Sequence, residues 1–279
     1  MPIHDQSYRR YSGPRQPPGR AWAVIAWNDI RVLLVKRLLL GVLLIGWAPV
    51  VVRAVMIYLS TNFPQMTVLA PSVATFREFF EQQGFSVFVM TVYVGAGLIA
   101  NDRRANALQI YLSKPLTRAE YIGGKLAVLL FFLLLVTWVP AMLLLFLQMM
   151  FAGSFAFVRA NLFLIPAITL FSFVQVLLAS FTVLALSSWS NSARYVAMLY
   201  AAAVIFTDVI FEVLRELTGS SGLAWLSFRA NLAQVGDVIF RLTPRYASPW
   251  PLALAIVAGL IVASAAVLQR RVRGVEVVA

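Results

Sequence analysis

Two stretches of this chain are too long and too apolar to stay in water. Gln82 to Asn101 runs 20 residues without a charge, and Leu126 to Val158 runs 33 more. About 20 apolar residues, rising ~1.5 Å each, cross ~30 Å of hydrocarbon as a helix. Between the two lies the segment 101–125, NDRRANALQIYLSKPLTRAEYIGGK, with Asp102, Arg103, Arg104, Lys114, Arg118, Glu120 and Lys125 inside it. Each ionised group at mid-bilayer would cost at least ~2.5–3.5 kcal/mol. The segment must therefore protrude into water between two spans, on the side that positive charge selects. Composition agrees, with 61% hydrophobic and only 12% charged residues, against about 25% charged in a soluble domain.

The chain reads as an all-α integral membrane protein with six transmembrane helices. The spans are expected at about 38–60, 84–100, 121–150, 161–188, 194–211 and 250–269, with Pro140 kinking the third. Residues 1–20 are rich in Pro and Arg and read as a disordered tail. Residues 21–37 place Trp22, Ile25, Trp27, Ile30, Leu33 and Leu34 at mostly helical spacing beside Asn28, Asp29, Arg31, Lys36 and Arg37. That mixed, Trp-rich, basic pattern reads either as an interfacial helix in the membrane plane or as an early start to the first span. With the N-terminus inside, the inner segments hold 16 Lys/Arg and the outer loops six. The positive-inside rule then puts both termini in the cytoplasm, with 270–279 as a cytoplasmic tail. The net charge of +12 belongs to this topology, and no nucleic-acid partner is expected. Without Cys, and with His4 as the only His, neither a disulfide framework nor a Cys/His metal site is expected.

The outer loops are short except for 212–248. Thr75-x-x-Glu78 matches a capping box opening a short helix in the first of them. In the last, Phe228, Leu232, Val235 and Ile239 lie opposite Arg229, Asn231, Gln234 and Asp237. An amphipathic helix resting on the outer membrane face, or dipping into it, is expected there. Ser248-Pro249 reads as N-cap and first-turn Pro of the sixth span. Arg53 lies about 22 Å up the first span and Asp208 about 21 Å up the fifth, at ~1.5 Å per residue. Either Arg53 snorkels to the outer headgroups, or it pairs with Asp208 or with Glu212 one turn further out as an intramembrane polar contact.

In the central segment, Asp102 to Leu112 can form a short helix with Leu108, Tyr111 and Leu112 on one face. Ser113-Lys114-Pro115 breaks it, and Thr117-x-x-Glu120 matches a capping box for the third span. On the residues alone this helix-break-helix is either a docking surface or a hairpin connector. Its pattern resembles the cytoplasmic loop of ABC-2 type transporter permeases. The matching residues are Asp102, the Leu108–Leu112 segment, Pro115, Thr117-Arg118, Tyr121 and Gly124-Lys125. The chain departs where many relatives have Glu and then Gly-Thr, since it has Arg104 and then Asn106-Ala107.

The resemblance implies a permease subunit of the bacterial cytoplasmic (inner) membrane that moves a substrate, in the export direction, with a separate ABC ATP-binding subunit. It implies a dimer with a second permease copy or a paralogue, and contacts with membrane lipids. ATP and Mg would sit on the partner, leaving no cofactor on this chain and no enzyme activity of its own. The implied ATPase-docking residues are Asp102, Arg103, Arg104, Asn106, Lys114, Pro115, Leu116, Thr117, Arg118 and Glu120 of the loop 101–120, with Trp22, Trp27, Asp29 and Arg31 of the N-terminal helix. Independently, Gly123-Gly124-Lys125-Leu126 lacks the upstream Gly and the hydroxyl of a P-loop.

Gly95-x-Gly97-x-x-Ala100 falls in an apolar span with no strand before it, so it reads as close helix packing and not as a dinucleotide fingerprint. Ala255, Gly259 and Ala263 form a small-residue face, for packing within the chain or between subunits. The alternative function is a self-contained channel or secondary transporter whose central loop is only a connector. Ion-coupled carriers place carboxylates along the path, and below Asp208 these spans have almost none.

Overall fold

The structure, a computed structural model, describes residues 21–63, 72–107, 117–152 and 156–272. The expected N-terminal tail and most of the C-terminal tail lie outside the described residues. Among those described, every regular element is helical: α1 (Ala21–Leu34), α2 (Arg37–Asn62), α3 (Val73–Met90), α4 (Ala96–Arg104), α5 (Arg118–Val136), α6 (Trp138–Ala152), the short α7 (Ala156–Ala160), α8 (Leu164–Ser187), α9 (Ala193–Thr218), α10 (Phe228–Ile239) and α11 (Trp250–Arg271). Six of the continuous helical stretches are long and apolar enough to cross a membrane: Arg37–Asn62, Val73–Arg104, Arg118–Ala152, Leu164–Ser187, Ala193–Thr218 and Trp250–Arg271. The chain is thus an all-helical, multi-pass membrane protein by length and composition.

Two of the spans are built from two helices each. α3 and α4 are joined by one wide π turn, Thr91–Gly95. Thr91 donates its hydroxyl to the Val87 carbonyl at 2.7 Å, a bond that competes with the backbone ladder. Gly95 is needed there, because a Cβ would lie 2.5 Å from Val183 Cγ1. The glycines of this region therefore pack against neighbouring helices, as expected. α5 and α6 are separated at Thr137, three residues before Pro140. Pro140 has no N–H for the Val136 carbonyl, so the expected kink falls on the turn before it. Pro166, by contrast, sits in the first turn of α8, where no intrahelical partner for an N–H exists.

α3–α4, α5–α6 and α8 form the inside of the bundle, and α2, α9 and α11 lie around it with most of their surface exposed. One core gathers Met90, Ile99, Tyr121, Leu129, Val183 and Val196. A second, at the other end, gathers Phe79, Phe80, Leu144, Ile168, Phe171 and Phe240. Exposed Leu44, Phe206 and Val262 on the peripheral helices suit hydrocarbon contact. Ala255, Gly259 and Ala263 are also exposed, and a Cβ on Gly259 would meet nothing within 4 Å. That small-residue face does not pack within this chain.

Several expected boundaries move. The second span begins at Val73, not near Gly84. Its cap is Ser72, whose hydroxyl accepts from the Thr75 N–H, while Thr75 reciprocates as the third residue of the helix. Glu78 is therefore not part of a capping box. The fifth span runs seven residues past Phe211 and stops at Gly219, which takes φ 64°. The sixth is preceded by Pro249 at the N-cap without a side-chain cap. Ser248 instead offers its carbonyl to Gln234 Nε2 at 2.7 Å.

The largest departure concerns α10. Its polar face is buried, not laid toward headgroups or water: Asn231, Gln234 and Asp237 are all nearly inaccessible. The helix is wedged against α3, α8, α9 and α11. The reason is a charge network. Asp237 Oδ1 lies 3.0 Å from Arg77 Nε, and Asp237 Oδ2 lies 2.9 Å from Arg245 Nε. Arg77 also reaches Glu81 at 3.2 Å and the Ala233 carbonyl at 3.0 Å, and Arg245 also binds Glu81. Arg77 and Asp237 are each 1% exposed. A Schellman-type stop ends the helix: Arg241 takes φ 57°, and Leu242 N–H donates to the Asp237 carbonyl at 2.7 Å.

Breaking a buried pair from one side leaves an uncompensated charge and costs roughly 3–5 kcal/mol. Asp237→Ala is expected to lower the melting temperature of the detergent-solubilised chain by on the order of 10 °C, taking ~2–4 °C per kcal/mol for a chain of this size. Glu212→Ala, at an exposed pair, is expected to shift it by no more than ~1–2 °C. Scanning fluorimetry of the two variants checks the contrast.

Candidate functional site

The expected docking residues gather at the end of the bundle where α1, α4 and α5 meet. α1 and α2 are separate helices, joined through Val35 and Lys36. α1 packs along α5. That approach requires Gly124, since a Cβ there would lie 3.0 Å from Ile25 Cβ and 3.0 Å from the Trp22 carbonyl oxygen. Ala26 and Ile30 face inward, while Trp22 and Trp27 are exposed. Arg31 lies over the Trp27 ring at 5.3 Å.

Lys125 is the centre of the cluster. Its Nζ is 2.8 Å from Asp29 Oδ2 on α1 and 2.8 Å from Asp102 Oδ2 on α4. The Tyr121 hydroxyl donates to the same Asp102 oxygen at 2.8 Å, and Lys125 Nζ sits 5.5 Å from the Tyr121 ring centre. Lys125 is nearly buried, whereas both carboxylates keep an exposed edge. One ammonium with three donors thus satisfies two acceptors from two other helices. The arrangement ties an N-terminal helix to the end of the second span through the start of the third.

Two further contacts fix α4 in place. Arg103 donates to the Ser188 carbonyl. The Ser187 hydroxyl accepts from the N–H groups of Ile99 (3.2 Å) and Ala100 (3.0 Å) and donates to the Ala96 carbonyl at 2.9 Å. α4 then stops: Asn106 takes φ 54°, a left-handed conformation that Asn tolerates better than most residues. Arg104 and Asn106 are exposed. Lys114, Pro115 and Leu116, like the Leu108–Leu112 segment, lie outside the described residues. The chain is described again at Thr117, where the expected capping box is present. Thr117 N–H donates to Glu120 Oε2 at 2.9 Å, and Glu120 N–H donates to Thr117 Oγ1 at 3.2 Å. Arg118 is exposed beside it.

Of the sequence-derived residues, Asp29 and Asp102 are thus brought together through Lys125, while Arg103 turns to the Ser188 carbonyl; Trp22, Trp27, Arg31, Arg104, Asn106, Thr117, Arg118 and Glu120 stand on α1, α4 and α5 or at their ends. Arg53 does not meet Asp208 or Glu212. It pairs with Glu78 at 3.2 Å and takes Gln82 Oε1 at 3.2 Å, both on α3. Asp208 instead receives the Ser227 hydroxyl at 2.5 Å and the Arg229 N–H at 3.3 Å. It thus sits at the N-terminus of α10, where the helix dipole favours an anion. Glu212 pairs with Arg215 at 3.2 Å. Matching depths brought Arg53 and Asp208 together on paper; depth says nothing of azimuth around the bundle, and α3 lies beside α2.

Sequence reading missed Lys125 and Tyr121 as the hub, although both stand in the loop pattern. A cation that follows two glycines and immediately precedes a long apolar run is the signal that could have singled out Lys125. It missed Arg77 and Asp237 too, which look like ordinary loop charges. Among the described residues no group of three His, Cys, Asp or Glu could hold a metal ion. A scan against protein-family models finds no match, and a search of the curated proteins finds none either.

Lys125→Met strands two partly buried carboxylates, which costs about 1–3 kcal/mol. The triple variant Lys125→Met, Asp29→Asn, Asp102→Asn removes the stranded charges and is expected to regain half or more of that loss. Melting curves of the single and triple variants in one detergent measure this coupling.

Proposed function

We propose that this chain is the membrane subunit of an ABC-2 type transporter of the bacterial cytoplasmic membrane. A separate ATP-binding subunit docks on α1 and on the 101–120 loop. The observation that carries the reading is the Lys125 bridge between Asp29 and Asp102. A partner that pushes on α1 and on the loop would push on one rigid joint. That joint is rooted in the ends of the second and third spans, so a displacement at the surface is passed directly to two helices of the bundle interior. A loop that merely connected two spans would not need an N-terminal helix bound to it by a nearly buried cation.

The exposed basic residues Arg104 and Arg118, and exposed Trp22 and Trp27, supply the contact surface on this reading, with both termini in the cytoplasm. The chain itself performs no chemistry. ATP and Mg are held by the partner, and closure of a pair of ATPase subunits tilts α1 and the loop. Two membrane subunits, identical or paralogous, enclose the path between them. The peripheral helices α2, α9 and α11 have the exposed apolar surface that such a pairing uses.

A pull-down from native membranes in mild detergent tests this. The intact chain is expected to capture a soluble ATPase, and the variant with Pro115 and Leu116 both replaced by Gly is expected to lose at least ~10-fold of it while melting within a few degrees of the parent. Absence of any ATPase from a well-folded intact sample would sink the reading and leave a self-contained channel or secondary transporter.

A further inference from the structure

At the end of the bundle away from Lys125, a cavity of about 460 Å³ opens between α3, α8, α9 and α10. It is elongated. On α9 its wall runs from Tyr200 through Val204 and Asp208 to Glu212, which is about 18 Å at ~1.5 Å per residue. The deep part is apolar and aromatic, with Val87 and Phe88 of α3, Ala179 of α8, and Tyr200 and Val204 of α9. The outer part carries charge. Three carboxylates stand there, each with a guanidinium: Glu81 with Arg245, Asp208 with Arg229 at 3.6 Å, and Glu212 with Arg215 at 3.2 Å. Part of the way down, Gln175 lines the wall. It is 5% exposed, and its amide oxygen has no hydrogen-bond partner.

Each feature points to the shape of a ligand. A long apolar slot takes a chain, not a compact polar solute. Of the lining residues Arg77 and Arg229 are cationic and Glu81, Asp208 and Glu212 anionic, with Arg245 and Arg215 paired to them from just outside the lining; such a mixed rim accepts a head that also carries both charges, its cation meeting a carboxylate and its anion a guanidinium. A head with only a negative charge would draw Arg229 away from Asp208, whose side chain is only 20% exposed, and leave that carboxylate without its cation. The unpartnered oxygen of Gln175 costs free energy while empty, and a hydroxyl one turn below the head would satisfy it. We infer that this cavity binds a single-chain amphiphile with a zwitterionic head and a nearby hydroxyl, the chemistry of a lysophospholipid. The site lies wholly within one chain and does not depend on an ATPase partner.

The test uses the full chain, delipidated in an alkyl maltoside and titrated with lysophosphatidylcholine while native mass spectrometry counts bound molecules. One equivalent is expected to bind at least tenfold more tightly than lysophosphatidylglycerol or the maltoside itself. Ile205, an exposed residue of the wall, allows the slot to be filled without disturbing the core. Ile205→Trp is expected to weaken binding tenfold or more with an unchanged melting temperature. Gln175→Leu is expected to weaken it several-fold, and Arg229→Gln with Glu212→Gln to erase the preference over the maltoside head. Unchanged binding in the Ile205→Trp variant would overturn the site. Equal binding of the anionic or neutral head by the parent chain would overturn the zwitterionic assignment. If a variant does not fold, the parent chain's selectivity among the three probes still decides that assignment.

Discussion

Taking an ion out of water costs several kcal/mol, and only an opposite charge with good hydrogen bonds offsets it. Both ends of this bundle are organised by that requirement. At one end Lys125 is held by Asp29 and Asp102; at the other Arg77 is held by Asp237 and Glu81. Each network joins elements far apart in the chain: α1, α4 and α5 in the first case, and α3, α10 and the segment before α11 in the second. Apolar packing fills the space between, but it does not by itself choose a register between helices. A single wrong turn would leave a charge without its partner, so the networks pin positions that Leu and Val would leave adjustable.

The two ends differ in what they leave free. Around Lys125 the cluster is closed, while the surface beside it is open, with exposed Trp and Arg on α1 and on the flanks of the loop. That combination suits contact with another protein. Around Asp237 the network closes one wall of a cavity, and its neighbours form a charged rim over an apolar slot, which suits a small amphiphile. The division follows from geometry: α10 packs against α3, α8, α9 and α11 and forms part of the cavity's wall. The polar face of α10 can be inside only because Arg77 and Arg245 meet Asp237 there, and the Tyr246 and Ser248 carbonyls meet Gln234.

Much of the architecture was legible from the chain's own pattern. Predominantly apolar runs located the six spans, because a helix needs about 20 such residues to cross hydrocarbon. Thr117 and Glu120 announced the start of α5, since a capping box uses only local atoms. Pro140 announced a break, since a missing N–H is a local fact too. Asp29 and Asp102 were singled out through the family resemblance, as contacts for a partner and not for each other, and Lys125, which joins them, was not.

What the sequence alone determined is therefore what local rules decide: that the chain is helical, that it spans a membrane, and where most helices begin or break. Tertiary structure decided which charges meet. Arg53 went to α3 and not to α9, and Asp208 went to the start of α10. Arg77 proved to be the most deeply buried cation of the described residues, although it sits where a loop was expected. A charge in a sequence has a depth and a helical face, but its partner depends on how whole helices turn about their axes against one another. That rotation is set by packing among helices from different parts of the chain, and no local pattern encodes it.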